Sequence, residues 1–259
     1  MQKKSKTDIS RRKFSKEIFS GIVSYALLDS LLATRALARS VSPIVDHWSI
    51  RLNEYCKDLK VDSITMAEWQ QQVEALFQVI NLDELSNFID FKNLQMSMAL
   101  PFSGVKTRKV EFPRLTGLPK KTNFIKKLTG MRKSTSINPH GHSNLASAHL
   151  VLKGELHVRN FDRVVSETDY MVVQPTLDET MAPGQASSIS DEKDNVHWFI
   201  ANTNSCFTFD VVMLNLGGRA YNIHYLDMLE SKSMGDDLLR VPIIDYGTAV
   251  TKYGKIAPH

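Results

Sequence analysis

Two cysteines, Cys56 and Cys206, are all that the 259-residue chain contains. That scarcity excludes a disulfide framework, although one bridge or two free thiols both stay open. Also missing is an uninterrupted apolar stretch of the roughly 20 residues that a membrane-crossing helix needs. The longest apolar region, residues 18–32, is short and broken by Asp29. There is no internal repeat and no low-complexity tract.

What the N-terminus does have is an ordered progression of three segments. Ser10-Arg11-Arg12-Lys13-Phe14-Ser15-Lys16 precedes an apolar region from Ile18 to Ala33, which is followed by the small-residue site Ala36-Leu37-Ala38. This is the layout of a cleaved signal peptide. The paired arginines with Phe14 and Lys16 resemble a bacterial twin-arginine leader, which implies recognition by the twin-arginine export machinery and a periplasmic or otherwise exported product. Residues 1–38 hold eight Lys/Arg and three Asp/Glu, leaving 24 basic and 25 acidic residues in the rest of the chain. The formal excess of positive charge therefore belongs to the leader, and a global nucleic-acid-binding reading fails.

The remaining chain reads in two parts. Residues 39–92 form an α-helical segment: Thr65-Met66-Ala67-Glu68 fits a capping box, and Met66, Trp69, Val73, Leu76, Phe77 and Ile80 recur at helical spacing. That stripe is read as core packing. Residues 93–259 carry short β-branched and aromatic runs broken by Gly, Pro and Asn, at 124–128, 149–152, 156–161, 170–173, 196–201 and 207–214. Many short strands with frequent turns point to a sandwich or barrel. The expectation is a mainly β protein, a small barrel behind a short α-helical segment.

Within that β region lies His140-Gly141-His142, with Gly154 twelve residues after His142 and an isolated His197 in Asn195-Val196-His197-Trp198-Phe199. Histidines at i and i+2 share one face of a strand, where two imidazoles can grip one metal ion.

Pro139-His140-Gly141-His142-Ser143-Asn144, leading to Leu150-Val151-Leu152-Lys153-Gly154-Glu155-Leu156-His157-Val158, resembles the first motif of the cupin superfamily. Pro183-Gly184 with His197 resembles the second. The resemblance implies a double-stranded β-helix, or jelly-roll barrel. Most metal-binding cupins carry a Glu seven residues before the motif glycine, and here that place is Ser147, a small spacer. Loss of the acidic ligand leaves three histidines, the arrangement of the thiol dioxygenase branch. Residues 157–162, 195–201, 209–211, 218–219 and 225–227 resemble the cysteamine dioxygenase and plant cysteine oxidase group. That resemblance implies Fe(II) held by His140, His142 and His197, with Mn, Ni, Cu or Zn as alternatives, and a small thiol and O2 as reactants. It also implies that the C-terminal segment folds over the barrel mouth. There Asp227 would accept a hydrogen bond from a substrate amine and Tyr225 would donate one to oxygen, with Tyr221 and His224 nearby. Ordinary closing-strand packing is the alternative.

His149 has three roles open to it: a fourth ligand, a hydrogen-bonding neighbour of the ligands, or an interior polar side chain. His157 has the opposite parity and is read as a surface or turn residue, and His47 and His259 as solvent-side histidines. Ten Lys and Arg residues between Lys106 and Lys133 face only Glu111 in that interval. Such a run can guide an anionic substrate, touch an acidic membrane or bind a partner, or it can be a solvated face.

Three functions compete at this level. The first is an exported, iron-dependent oxygenase converting a small thiol or an N-terminal cysteine to a sulfinate. The second is a metal-binding cupin with other chemistry, an isomerase or another oxygenase. The third is a non-catalytic cupin that binds a ligand or partner. A homo-oligomer is compatible with each.

Overall fold

Strand pairing determines the architecture of residues 43–256, the part of the chain that the computed structural model describes. The expected leader and cleavage site, and His259, lie outside those residues. Four helices come first: α1 (Pro43–Lys60), α2 (Met66–Gln78), α3 (Leu82–Phe88) and α4 (Phe91–Met96). Twelve strands follow. They are β1 (Lys106–Lys109), β2 (Ile125–Met131), β3 (Ser136–Ser143), β4 (Leu145–Lys153), β5 (Leu156–Ser166) and β6 (Tyr170–Met181), then β7 (Ala186–Ile189), β8 (Val196–Ala201), β9 (Cys206–Leu214), β10 (Asn222–Leu226), β11 (Lys232–Gly235) and β12 (Leu238–Ile244). A last helix, α5 (Tyr246–Tyr253), ends the described chain.

The central eight strands pair in nested antiparallel fashion: β2 with β9, β3 with β8, β4 with β7, and β5 with β6. Alternate pairs fall in alternate sheets, ordered β1-β2-β9-β4-β7 and β10-β3-β8-β5-β6-β12-β11. A hairpin folded over itself in this way is a jelly roll. The mainly β fold expected from the sequence is therefore the one found.

Period-two alternation sorts the five-stranded sheet cleanly. Ala146, Ala148 and Leu150 of β4, Phe209, Val211 and Met213 of β9 and Leu128 of β2 join one cluster with Trp48, Leu52, Trp69, Val73 and Phe77 of the helices. Ser147 and His149, Val212 and Leu214, and Lys127 and Thr129 take the opposite parity and line the barrel cavity. The helices thus cover the outer face and leave the inner face for the site. Thr65 caps α2 through a complete capping box with Glu68, and Trp48 Nε1 donates to Leu76 O at 3.0 Å. Each buried Leu or Phe of this layer contributes about 1.5–3 kcal/mol.

Two elements run further than their apolar runs. β5 extends to Ser166 and β6 to Met181; the far half of β6, Gln174-Pro175-Thr176-Leu177-Asp178-Glu179-Thr180, is mostly exposed and polar, and the far end of β5 exposes Val164, Val165 and Ser166. Such a segment pairs through its backbone while showing no hydrophobic alternation. Cys56 and Cys206 are both free and buried, and they pack in separate clusters. Burial pushes the Cys56 thiol up to about 12, so it is an inert core residue. Among the described residues no helix is long and apolar enough to cross a membrane.

Candidate metal centre

A one-residue bulge in β3 creates the site. Ile137 pairs with Phe199 of β8, yet the next registered pair is His140 with His197. One residue more has been used on β3 than on β8, and Pro139, which has no N–H to offer the ladder, sits in that interval. The bulge resets parity, so that Ile137, His140 and His142 all reach the face shared with His197 and Phe199.

The three imidazoles converge there. Their ring centroids stand 4.5 Å apart for His140 and His142, 4.2 Å for His140 and His197, and 5.2 Å for His142 and His197. One nitrogen from each ring lies within 4.8 Å of the others. His142 and His197 are buried, while His140 is partly exposed toward the cavity. Burial is the main force lowering the basicity of all three, with mutual repulsion added. His140 is brought down to about 4, and His142 and His197 lie well below the usual histidine value. Neutral imidazoles, the form that ligates a metal, therefore prevail at pH 7.

Backbone and neighbouring side chains hold the rings. His140 Nδ1 lies 2.7 Å from Asn138 O, a contact that places the proton on Nδ1 and leaves Nε2 as a donor pair. Asn195, two residues before His197, clamps β3: its Nδ2 donates to His142 O at 3.0 Å and its Oδ1 accepts from His142 N at 3.2 Å. Arg163 adds a second donor to His142 O at 2.7 Å.

The arrangement fits an ion. Nδ1 of His142 and Nδ1 of His197 are buried without a hydrogen-bond partner among the described residues, and leaving buried polar atoms unsatisfied is costly. An all-imidazole donor set suits borderline divalent metals such as Fe, Zn, Cu and Ni.

Next to the histidines, a second constellation crosses the five-stranded sheet. Ser147 Oγ lies 3.0 Å from His149 Nε2, and His149 Nδ1 lies 2.9 Å from Asp210 Oδ1. Thr129 Oγ1 donates to the other Asp210 oxygen. Burial alone would raise the Asp210 carboxyl, but its contacts with His149, the field of Lys127 and the Thr129 bond outweigh that and hold it below the usual value. The sequence offered Asp210 only as part of a resemblance, because a lone Asp between Phe209 and Val211 carries no local signal.

The cavity, of about 520 Å³, opens at the three histidines and is lined further by Ser147, His149, Lys127, Asn138, Tyr221 and Tyr225. Tyr246 and Val250 of α5 also line it, a contribution that nothing in the C-terminal sequence announced. Tyr225 sits with its ring centroid 5.7 Å from that of His140 and 5.3 Å from that of Tyr246, and burial raises its hydroxyl pKa.

Asp227 is placed differently from what the resemblance implied. It does not line the cavity. Tyr253 OH donates to its Oδ1 at 2.7 Å, and Lys252 engages its Oδ2. Both oxygens are engaged by α5, so Asp227 anchors that helix, away from the cavity lining. His157 pairs with Asp178 on the outer surface, His47 is exposed, and His224 stays half-buried outside the cavity lining.

No protein-family model matches the chain, and no curated protein is significantly similar to it. Solved structures do resemble it. Procruciferin, an 11S globulin from Brassica napus, is 16% identical over 39% of this chain with a TM-score of 0.29, and the chain spans only 22% of that protein. KdgF from a Halomonas species is 14% identical over 42% of this chain and 77% of its own, TM-score 0.30. A cupin superfamily protein from Desulfitobacterium hafniense is 10% identical over 45% and 83%, TM-score 0.30. The jelly-roll assignment rests on the strand pairing itself.

Proposed function

We propose that this protein is a metal-dependent cupin oxygenase that uses Fe(II) to add both atoms of O2 to a small thiol, giving a sulfinate (RSH + O2 → RSO2H), and that it acts outside the cytoplasm. The observation that carries the reading is a buried cluster of three histidines with no carboxylate among its donors. Ser147 stands where an acidic ligand would otherwise project, and its hydroxyl is turned to His149.

Three neutral imidazoles leave a divalent ion with its full charge, which favours an anionic thiolate over a neutral ligand. Bound there, Fe(II) would supply open coordination positions and the redox step. The residues of the chain do the rest. His140, His142 and His197 hold the ion, and Asn195 and Arg163 fix the strand that carries two of them. Ser147, His149 and Asp210 form a hydrogen-bonded line that can move a proton from the cavity wall toward a buried carboxylate. Tyr225 offers a hydroxyl that stays protonated at neutral pH and can donate to a developing oxyanion.

Oxygen uptake by anaerobically iron-loaded protein, measured across a panel of thiols with mass spectrometry of the products, tests this directly. Uptake in step with sulfinate formation is expected. Absence of both would remove the thiol reading and leave a metal cupin of other chemistry or a binding protein, which metal analysis separates.

A further inference from the structure

From the charge lining the cavity, we infer that the substrate carries an anionic group, a carboxylate in the simplest case, which pairs with Lys127. The inference rests on the oxygenase reading for the thiol end of the substrate, but the anion site itself does not depend on it.

Lys126 and Lys127 are neighbours in β2 with opposite fates. Lys126 turns away from the cavity and is buried under the Phe112 ring, its Nζ 4.9 Å from that ring's centroid and 3.1 Å from Thr122 Oγ1. Lys127 turns inward with Ile125 and Thr129 and lines the cavity beside the histidines. In the sequence it is one of ten basic residues in a run whose ordinary reading is a solvated face. The strand pleat singles it out.

Three observations give it a function. Among the lining residues Lys127 is the only Lys, Arg, Asp or Glu. Its ammonium forms no ion pair and no hydrogen bond with any described residue, although its field reaches the buried Asp210 across the strand pair. Its position is built: it pairs in register with Asp210 of β9, which pairs with His149 of β4. These side chains run as one row across the sheet toward the metal cluster. The field of Lys127 reaches His140, His142, His197 and Asp210.

The same lining disfavours the amine-bearing thiols of the resembled group. No acidic side chain lines the cavity to receive an ammonium: Asp210, on the same face, is buried and bonded to His149 and Thr129, and Asp227, the residue expected to do so, is bound to Lys252 and Tyr253. A cationic substrate would meet Lys127 and a divalent ion with no carboxylate exposed to it. A thiol acid would present its thiolate to one positive centre and its carboxylate to the other. The cavity of about 520 Å³ accommodates such a molecule.

Calorimetric titration of the iron-loaded full-length protein under argon tests the inference through binding, independently of turnover. The probes are mercaptoacetate and 3-mercaptopropionate (thiol and carboxylate), cysteamine (thiol and amine), ethanethiol (thiol alone) and acetate. The mercapto acids are expected to bind at least about tenfold more tightly than ethanethiol or cysteamine. Lys127→Gln should erase that advantage, Lys127→Arg should retain most of it, and Lys106→Gln on the exposed β1 strand should change nothing. Equal affinity for mercapto acids and ethanethiol, insensitive to Lys127→Gln, overturns the anion site while leaving thiol oxidation intact. Acetate binding that depends on Lys127, with no thiol bound, supports the anion site and overturns the thiol reading. Failure of all probes to bind overturns both.

Discussion

The Ser147 hydroxyl and the His149 ring lie 3.0 Å apart, on the same face of one strand. Because Asp210 holds the other ring nitrogen at 2.9 Å, both nitrogens of His149 are engaged, and the imidazole is an oriented neighbour of the three-histidine cluster. Its ring centroid is 5.7 Å from that of His197. Of the three roles the sequence left open, the hydrogen bonds favour the second, and a serine in place of an acidic ligand is what gives His149 room for it.

Metal content separates ligand from neighbour. His197→Ala and His140→Ala should each lose most bound iron, since two imidazoles hold a divalent ion far more weakly than three. His149→Ala should keep stoichiometric iron, while losing oxygenase activity if the Ser147–His149–Asp210 line moves protons. Elemental analysis after anaerobic loading and desalting decides it. Loss of metal in His149→Ala equal to that in His197→Ala would make it a fourth ligand.

Much of this centre was legible in the chain, for physical reasons that can be named. His140 and His142 are local: a two-residue spacing on a strand fixes their common face without tertiary information. His197 was legible only through resemblance, because its pairing with His140 is a long-range event. Lys127 and Asp210 were hidden for a related reason. A charged residue inside a barrel looks like a surface residue in sequence, and only the register of β2, β9 and β4 reveals which way it points. Asp227 misled because its partners, Lys252 and Tyr253, lie on a helix that the C-terminal sequence did not announce.

Acid should destabilise the metal-free protein well above the range in which ordinary carboxylates titrate. The folded state holds His140 at about 4, against a reference of 6.5, and His142 and His197 shift in the same direction. Between those values the unfolded chain binds protons that the folded chain does not. Stability is thus fully present above about pH 6.5 and falls as pH drops toward about 4. The depressed Asp210 carboxyl adds a loss of the same sign at lower pH. Urea midpoints of chelator-treated protein at pH 7.5, 6.5, 5.5 and 4.5 should fall across the last three. A midpoint unchanged down to pH 4.5 would show that the imidazoles are not held neutral by burial.

The motif glycine makes a stability prediction that is independent of metal. Gly154 has φ +78°, and a Cβ there would lie 2.5 Å from Thr203 Oγ1, 2.7 Å from Ser205 O and 2.8 Å from Cys206 Sγ. Backbone strain and a clash with a main-chain oxygen coincide, so Gly154→Ala should cost about 1–3 kcal/mol. Thermal denaturation of the metal-free form should show Tm lowered by roughly 2–4 °C per kcal/mol in a domain of this size. An unchanged Tm would mean that the turn between β4 and β5 relaxes freely.

The proposed export by a route for folded proteins has a chemical rationale at this centre. Copper and zinc outcompete iron at nitrogen-rich sites, following the general order of divalent affinities. A chain folded around iron in the cytoplasm, with two of its three ligands buried, would carry the weaker-binding ion past that competition. Replacing residues 1–38 with a leader for unfolded export should therefore yield a periplasmic protein with lower iron and higher zinc or copper occupancy. Arg11→Lys with Arg12→Lys in residues 1–38 should retain the protein in the cytoplasm, iron-loaded. Elemental analysis of both fractions, with N-terminal sequencing near Ala38, reads out the leader and the loading separately. Equal iron by both routes would break the link between leader and metal, and periplasmic delivery of the double lysine variant would show that the leader is not of the twin-arginine kind.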